Sequence, residues 1–253
     1  MNYYDLLPCQ ENGKMIICYA MAIADRINSV HEKIIRAAKK SSTNPDKIKL
    51  IAVSKTVDVQ SITNALYGGV KILGENKVQE ARTKISELRS QNADWDIKWH
   101  LIGHLQKNKA KTAVQLFDLI HTVDSRDLAE ELNRQAEKFD TIQRILVQVK
   151  LADEETKHGM TESDLMTVLE KVTALDYLKL EGLMTIPPFF DDPEEARPYF
   201  RKLRELAASA RKQGFSMDEL SMGMSNDYEV AIEEGATMIR VGTAIFGERD
   251  YRE

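Results

Sequence analysis

Short apolar runs alternate with amphipathic stretches of helical period from residue 47 to the end of the chain. Each run has the length of a buried strand and is flanked by polar or turn-forming residues. The eight runs span residues 48–53, 71–73, 98–102, 119–122, 145–149, 178–184, 219–222 and 237–241. Repeated alternation of strand and helix is typical of a parallel sheet covered by helices.

The stretches between the runs carry helix start and stop signals. Ser125 precedes an apolar face, Thr161 is followed by an acidic residue three positions later, and Asp192 precedes a proline. The helix after Asp192 is predicted to end at Gly214. Its apolar residues share one face: Ala196, Tyr199, Phe200, Leu203, Leu206, Ala207 and Ala210. One apolar face predicts a helix that packs on a sheet.

Eight strand-helix units in roughly 230 residues match a closed barrel, for which about 250 residues is typical. We therefore predict the α/β class and a single (β/α)8 barrel of the TIM type over residues 21–253. A doubly wound open sheet is the alternative fold. Residues 1–20 are predicted to be an N-terminal extension, either a peripheral helix or a disordered segment, because the amphipathic pattern begins only after Met21.

Charge and cysteine usage narrow the classes of function. The chain has 35 basic and 40 acidic side chains, a formal net charge of -5, which favours neither nucleic acid nor an anionic membrane as a partner. The early apolar stretch is interrupted by Tyr19 and stopped by Asp25, so we expect neither a secretory leader nor a membrane span. Cys9 and Cys18 are then expected to be reduced thiols in a cytoplasmic protein.

A lysine follows the first apolar run directly. In a β/α barrel the loops after the strands build the site, and Lys55 stands at the start of the first such loop. Burial would lower the pKa of its amine from about 10.4 and make it nucleophilic. A solvated lysine leaving a strand is the alternative, and this residue alone favours that alternative.

The second and third strands end in polar residues. Asn76 can bind a ligand or cap a helix, and Glu75 can support a neighbouring group. His100 and His104 suggest acid-base or metal chemistry, but no carboxylate lies beside them at a metal-site spacing, so we predict no metal.

Two glycine-containing segments follow the seventh and eighth strands. The first carries Ser225 ahead of a helix predicted to begin near Asn226, and the second carries Gly242 and Thr243. Glycine permits close approach of backbone, hydroxyl groups donate hydrogen bonds, and a helix N-terminus favours an anion. Barrels frequently hold phosphate between these two loops, so we predict a phosphate site.

Barrel closure makes the first and last strands neighbours. The amine of Lys55 and the predicted phosphate site would then lie side by side. A phosphorylated aldehyde can bridge them.

Six segments of the chain, in this order, resemble the pyridoxal phosphate homeostasis protein family. They are Ala-Val-Ser-Lys-Thr at 52–56, Gly-Glu-Asn at 74–76, Trp-His-Leu-Ile-Gly at 99–103, Gly-Leu-Met-Thr-Ile-Pro at 182–187, Ser-Met-Gly-Met-Ser at 221–225 and Arg-Val-Gly-Thr-Ala-Ile-Phe-Gly at 240–247. The resemblance spans residues 22–249 and is more specific than any single motif. It implies a barrel similar to the N-terminal domain of alanine racemase, the type III fold of pyridoxal phosphate proteins.

The resemblance also implies roles for single residues. It places pyridoxal 5'-phosphate (PLP) as a Schiff base on Lys55 and the cofactor's phosphate on Ser225, Gly242 and Thr243. Arg240 falls where the family has an arginine that faces the pyridine nitrogen, and Asn76 and Met222 fall in the ring pocket. His104 stands where many relatives have proline, which can alter the rim of the site.

The implied function is non-catalytic: a PLP-binding protein that acts in homeostasis or delivery of the cofactor, with PLP-dependent apoenzymes as partners and no catalytic residues of its own. The sequence shows no oligomer seam, so we expect a monomer. A small PLP-dependent racemase or decarboxylase is the first alternative. A Schiff-base aldolase, in which Lys55 reacts with a phosphorylated sugar and no cofactor is present, is the second.

Overall fold

In the computed structural model, eight parallel strands close into one barrel in the order in which they follow each other along the chain. The structure describes residues 13–152 and 159–248, with side chains from residue 21 onward in those ranges. The strands are β1 Lys49–Val53, β2 Ile72–Glu75, β3 Lys98–Leu101, β4 Leu119–Val123, β5 Gln143–Gln148, β6 Leu178–Met184, β7 Glu219–Met224 and β8 Met238–Val241. The predicted (β/α)8 barrel is confirmed, because β8 pairs with β1. This pairing closes the sheet and rules out the open-sheet alternative.

Helices follow the strands around the outside. The α-helices of the described residues are α1 Gly13–Lys40, α2 Val59–Tyr67, α3 Val78–Gln91, α4 Ala110–Leu116, α5 Arg126–Lys138, α6 Glu162–Thr173, α7 Arg197–Lys212, α8 Tyr228–Glu233 and α9 Thr243–Phe246. Short 3-10 helices span Pro45–Lys47, Lys107–Lys109 and Pro193–Ala196. None of these described helices combines the length and the apolarity that a membrane span requires.

The first helix starts before the predicted barrel domain. Helix α1 begins at Gly13, so its first eight residues belong to the segment predicted as an extension before Met21. The amphipathic stripe begins at Ile23, but an established helix propagates through residues that need not contact a core. Residues 1–12 lie outside the described part of the chain, as do Cys9 and the side chain of Cys18, so the thiol prediction stays a prediction.

Two apolar layers fill the molecule. Ile23, Ile27 and Val30 of α1 are buried in the large layer between strands and helices. A separate cluster lies inside the barrel and takes one residue from each of five strands: Ile51, Leu119, Leu146, Met184 and Met238. Because side chains alternate along a strand, every second residue faces the barrel interior, and this alternation determines which polar groups meet there.

Ion pairs surround the amino ends of the strands. Arg144 donates two hydrogen bonds to Glu181, at 2.8 and 2.9 Å, and Lys49 pairs with Glu219. Both pairs lie at the opposite end of the barrel from the loops that follow the strands.

The predicted helix caps are realised in part. The Ser125 hydroxyl accepts a hydrogen bond from the amide of Leu128, as its pattern predicts. The Thr161 hydroxyl instead donates to Asp164, at 2.6 Å, and leaves the first turn of α6 uncapped by a side chain. Asp192 caps the 3-10 helix Pro193–Ala196, and α7 begins only at Arg197.

Gly182 lies where β6 meets β7 most closely. It pairs with Glu219 at a point where the register between β5 and β6 also shifts. A Cβ atom at this position would lie 1.8 Å from the carbonyl oxygen of Glu219. Because that oxygen belongs to the backbone, no change of rotamer could relieve the clash.

We expect Gly182→Ala to reduce the free energy of unfolding by about 3 kcal/mol or more, since strands β6 and β7 must separate to admit a methyl group. Urea unfolding followed by circular dichroism measures this change. Gly214→Ala is the matched control: its φ of +94° strains an alanine, but no atom lies within 4 Å of the added Cβ. The control should lose only about 1–2 kcal/mol. Equal losses in the two variants would contradict the close-approach argument.

Candidate functional site

A cavity of about 440 Å³ opens at the carboxyl ends of the strands, where a β/α barrel builds its site. Its walls come from the ends of β1, β2, β3, β7 and β8 and from the loop between β6 and α7. The lining residues are Val53, Lys55, Asn76, Ile102, Ile186, Phe189, Phe190, Pro193, Ala196, Met224, Ser225, Asn226, Asp227, Arg240, Gly242 and Thr243.

Six of the seven site residues predicted from the sequence line this one cavity. Met222 does not: its side chain is fully buried in the layer between strands and helices, and Met224 lines the cavity instead. Met222 faces outward because it follows the inward-facing Ser221 and side chains alternate along a strand, whereas an irregularity in β7 brings Met224 to the cavity. The pairing of β7 with β8 shifts between Ser221 and Met224, and Gly223 there has a φ of +90°. The bulge turns Met224 inward after Ser221 has already faced the barrel interior.

Lys55 occupies the second position of a tight turn that ends β1. The carbonyl of Ser54 accepts a hydrogen bond from the amide of Val57, at 3.0 Å. Thr56 takes the third position with a φ of +60°, a conformation that type II turns usually assign to glycine. The Lys55 side chain is half-buried, and among the described residues its amine has no hydrogen-bond or ion-pair partner. The turn therefore presents a primary amine to the cavity.

Ser225 joins the loops after β7 and β8. Its hydroxyl oxygen accepts hydrogen bonds from the amides of Gly242, at 3.1 Å, and Ala244, at 3.4 Å. Helix α8 begins at Tyr228 rather than near Asn226, and Asp227 accepts from the amide of Met224, at 2.6 Å. Two backbone N–H groups and a hydroxyl therefore converge at one point on the cavity wall, which is a donor arrangement suited to phosphate oxygens.

Arg240 brings a buried cation to the cavity. Its side chain is 3% exposed and donates to the Ser221 hydroxyl, at 2.7 Å, and to the carbonyl of Thr185, at 2.9 Å. Burial lowers the pKa of Arg240 to about 10, with Asp227 opposing the shift. The guanidinium therefore remains charged at neutral pH, and its partners at these distances are neutral oxygens rather than a carboxylate.

Behind Arg240, two histidines extend a chain of hydrogen bonds across the barrel interior. His121 Nδ1 lies 2.8 Å from Ser221 Oγ, and His121 Nε2 lies 3.0 Å from His100 Nδ1. Arginine only donates, so the Ser221 hydroxyl accepts from Arg240. The hydroxyl keeps a second lone pair and its own proton, so it can accept from or donate to His121 Nδ1, and the contact between His121 Nε2 and His100 Nδ1 couples the two tautomers. If the hydroxyl donates, both neutral imidazoles carry their proton on Nε2 and the hydrogen bonds run in one direction.

The sequence analysis did not identify His121 and Ser221 as site residues. Each is a polar residue within a strand at a position that faces the barrel interior, and this pattern could have identified them. The sequence analysis also missed Phe189 and Phe190, a pair of aromatics in a loop after a strand. Phe189 is 76% exposed at the cavity mouth. Two aromatic side chains give the cavity an apolar wall against which a flat ring can pack.

A second, smaller cavity of about 230 Å³ adjoins the first and shares Asn76 with it. His104 and Lys150 line it, and His104 Nδ1 lies 3.2 Å from a carboxylate oxygen of Asp124. His104 thus stands at the rim, beside the cavity that holds Lys55. Within residues 13–152 and 159–248, no three metal-binding side chains cluster.

Together these groups suit a ligand with three features. An amine can condense with an aldehyde, convergent N–H and hydroxyl donors can hold a phosphate, and a buried arginine can donate to a neutral acceptor on a ring. The apolar side chains of the mouth complete a slot for a flat molecule.

Comparison with known proteins identifies relatives over most of the chain. The family model described as alanine racemase, N-terminal domain, matches residues 31–250. The chain is 42% identical to a protein of Aquifex aeolicus named pyridoxal phosphate homeostasis protein, over 91% of this chain and 100% of that one.

Solved structures are also similar to this chain over most of its length. The structure of PipY of Synechococcus elongatus with PLP bound superposes with a TM-score of 0.79 at 40% identity, covering 89% of this chain and all of that chain. An alanine racemase of Clostridium difficile is similar in fold, with a TM-score of 0.69 at 15% identity, over 91% of this chain and 58% of that one.

The buried histidine pair predicts a pH dependence of stability. Burial lowers the pKa of His100 to about 3 and that of His121 well below its ordinary value of 6.5. Above pH 6.5 these histidines are unprotonated in both the folded and the unfolded chain. Below pH 6.5 they become protonated in the unfolded chain but stay neutral in the folded one, so the free energy of unfolding decreases as the pH is lowered. Two histidines should reduce the free energy of unfolding by about 3 kcal/mol between pH 6.5 and 5.

Urea unfolding at successive pH values measures this loss. The double variant His100→Gln, His121→Gln should lose most of the slope between pH 6.5 and 5. His31→Gln, which removes an exposed imidazole on α1, is the control and should keep it. A double variant with the slope of the unmodified protein would show that the pair is not the source.

Proposed function

We propose that this chain, which belongs to the pyridoxal phosphate homeostasis protein family, binds PLP as a Schiff base on Lys55 and acts in the intracellular homeostasis of that cofactor. The observation that carries the proposal is the convergence of the Lys55 amine, the Arg240 guanidinium and the Ser225 loop on one cavity. PLP-bound PipY, 40% identical, supports it. When bound, PLP supplies an aldehyde that condenses reversibly with an amine.

The residues present fit the group. Ser225, Gly242 and Thr243 would hold the phosphate, since the amides of Gly242 and Ala244 already donate toward the Ser225 hydroxyl. Asn76 lines the cavity and would lie beside the ring. A charged phosphate held by such donors gains roughly 1.5–3 kcal/mol from each hydrogen bond.

Arg240 would face the pyridine nitrogen. Because arginine has donors and no acceptor, it stabilises the unprotonated form of that nitrogen. An unprotonated ring is a weaker electron sink for carbanion chemistry. The side chain that would orient the cofactor would therefore also reduce its catalytic power.

The cavity also has few acid-base groups. The titratable residues among its described lining are Lys55, Asp227 and Arg240. Asp227 is held by the amide of Met224 within the loop that carries Ser225, at the phosphate end of the site. Racemisation needs a second proton-transfer group opposite the lysine, but Arg240 stays protonated at neutral pH and Asp227 already accepts from the Met224 amide. We therefore propose a carrier without catalytic residues.

The sequence-based expectations on location and partners complete the proposal. The protein would act in the cytoplasm as a monomer and deliver PLP to PLP-dependent apoenzymes, with no nucleic acid or membrane as partner. The residues that line the cavity lie between Val53 and Thr243. The site thus belongs to the predicted 21–253 barrel domain, and we propose that the predicted extension, 1–20, takes no part in it.

Borohydride reduction tests the cofactor and the lysine together. We expect reduction of the PLP-loaded protein to add the pyridoxyl phosphate mass to the peptide that contains Lys55, because this amine faces the cavity from the end of β1. Peptide mass mapping gives the answer. Lys55→Ala should lose the label and the visible absorption of the Schiff base, whereas Lys150→Ala, which changes the neighbouring cavity, should keep both. Label on Lys150 or Lys107 would contradict the assignment, and a protein that takes up no PLP would favour the aldolase alternative.

Turnover distinguishes the carrier from the enzyme. We expect the PLP-loaded protein to show no sustained racemisation or decarboxylation of common amino acids, because the titratable groups of the described lining are limited to Lys55, Asp227 and Arg240, and Arg240 would weaken the ring as an electron sink. Chiral chromatography and carbon dioxide release measure the two reactions. Product that exceeds the protein in amount, and that disappears in Lys55→Ala, would establish the racemase or decarboxylase instead.

A further inference from the structure

The turn that carries Lys55 adopts a conformation that its own residues do not favour. Thr56 has a φ of +60°, and a β-branched residue in the left-handed region is a genuine outlier. Such a residue costs about 1–3 kcal/mol and persists only where surrounding contacts hold it. The structure shows contacts on both sides of Lys55 that do so.

The first contact holds the residue before Lys55. The ammonium of Lys84, on α3, donates to the carbonyl of Ser54 at 2.5 Å, and the Ser54 hydroxyl donates to the carboxylate of Glu75 at 2.7 Å. The carbonyl and the hydroxyl of Ser54 are therefore held by charged side chains.

The second contact holds the residue after Lys55. The amide of Thr56 donates to the Glu80 carboxylate at 2.5 Å, and Lys84 donates to the same Glu80 oxygen at 2.6 Å. Lys84 also donates to Glu75 at 2.9 Å. One ammonium thus connects two carboxylates, and the three side chains hold the backbone on both sides of Lys55.

The charged side chains of this network are unusually well buried. The side chain of Glu75 is fully buried and that of Lys84 is 8% exposed, while that of Glu80 is 24% exposed. Glu75 Oε2 accepts no hydrogen bond from a described residue. Burying such groups is costly, and apolar residues of similar volume often serve stability equally well. Stability alone is therefore a poor explanation for this arrangement.

We propose that Glu75, Glu80 and Lys84 are positioning residues that hold the Ser54–Thr56 turn so that the Lys55 amine reaches the aldehyde of the ligand held by the phosphate loops. The inference rests on the proposed function. The three side chains lie behind the turn and are absent from the cavity lining among the described residues, so they act through Lys55 and not on the ligand.

A ligand without an aldehyde separates positioning from binding. Pyridoxine 5'-phosphate has the ring and the phosphate but cannot form a Schiff base, so its affinity reports the phosphate and ring contacts alone. The affinity for PLP, with the absorption of the Schiff base, reports those contacts and the lysine together. The ratio of the two affinities measures how well Lys55 is placed.

In Glu80→Ala we expect that ratio to fall about tenfold, the value of one lost hydrogen bond to a charged group. The affinity for pyridoxine 5'-phosphate should change less than twofold. Glu80→Gln keeps an oxygen that can accept from Thr56 and should recover most of the ratio. Lys84→Met should lower it further; if that variant does not fold, Glu80→Ala decides alone, since Glu80 is the most exposed of the three.

Glu87→Ala is the matched control, because Glu87 is an exposed acid on the same helix, seven residues beyond Glu80. It should leave the ratio unchanged. An unchanged ratio in Glu80→Ala, or a loss of pyridoxine 5'-phosphate affinity equal to that of PLP, would overturn the positioning role and leave a structural one. Failure of the unmodified protein to form a Schiff base on Lys55 would instead overturn the proposed function.

Discussion

The pairing of β1 with β8 is the contact on which the site depends. Ile51 lies opposite Arg240 and Ala52 opposite Val241, so the turn that follows β1 stands beside the loop that follows β8. Residues almost 190 positions apart thereby share one cavity wall. Parallel strands place all their carboxyl ends at one rim, and closure makes the first and last of them neighbours. An open sheet with the same strands would hold the Lys55 amine at one edge and the loop after β8 at the other.

Two buried cations, Arg240 and Lys84, lie near the pairing of β1 with β8 and differ in the charge of their hydrogen-bond partners. Inside the barrel, Arg240 bonds to neutral oxygens, and the histidines behind them are neutral as well. Its charge is therefore little compensated and remains available to a ligand. Outside the barrel wall, Lys84 is surrounded by two carboxylates and a carbonyl, so its charge is used within the protein. Burial is similar in the two cases. The difference is whether the partners carry charge: those of Arg240 are neutral, whereas the charge of Lys84 is balanced by carboxylates that help to hold the backbone beside Lys55.

Much of this arrangement could be predicted from the sequence, because strands and helices of a barrel repeat with clear periods. The order of the strands and the position of Lys55 at the end of the first follow from local pattern alone. Local pattern does not report irregular backbone: the bulge in β7 brings Met224 to the cavity wall, whereas Met222, which the family resemblance implied, is buried in the outer layer. Local pattern also failed for contacts between distant residues. Ser54 lies 30 residues from Lys84, and His121 lies 100 residues from Ser221, and no periodicity reports such distances.

The series of hydrogen bonds behind Arg240 can form only late in synthesis on the ribosome. Its members come from β3, β4, β7 and β8, so the series cannot exist until the last strand has left the exit tunnel. Contacts so far apart in sequence form late in folding. A nascent polypeptide or a prematurely terminated product can carry Lys55, but it lacks Arg240 and the loop after β8. The cavity is therefore complete only in molecules whose translation has passed the eighth strand.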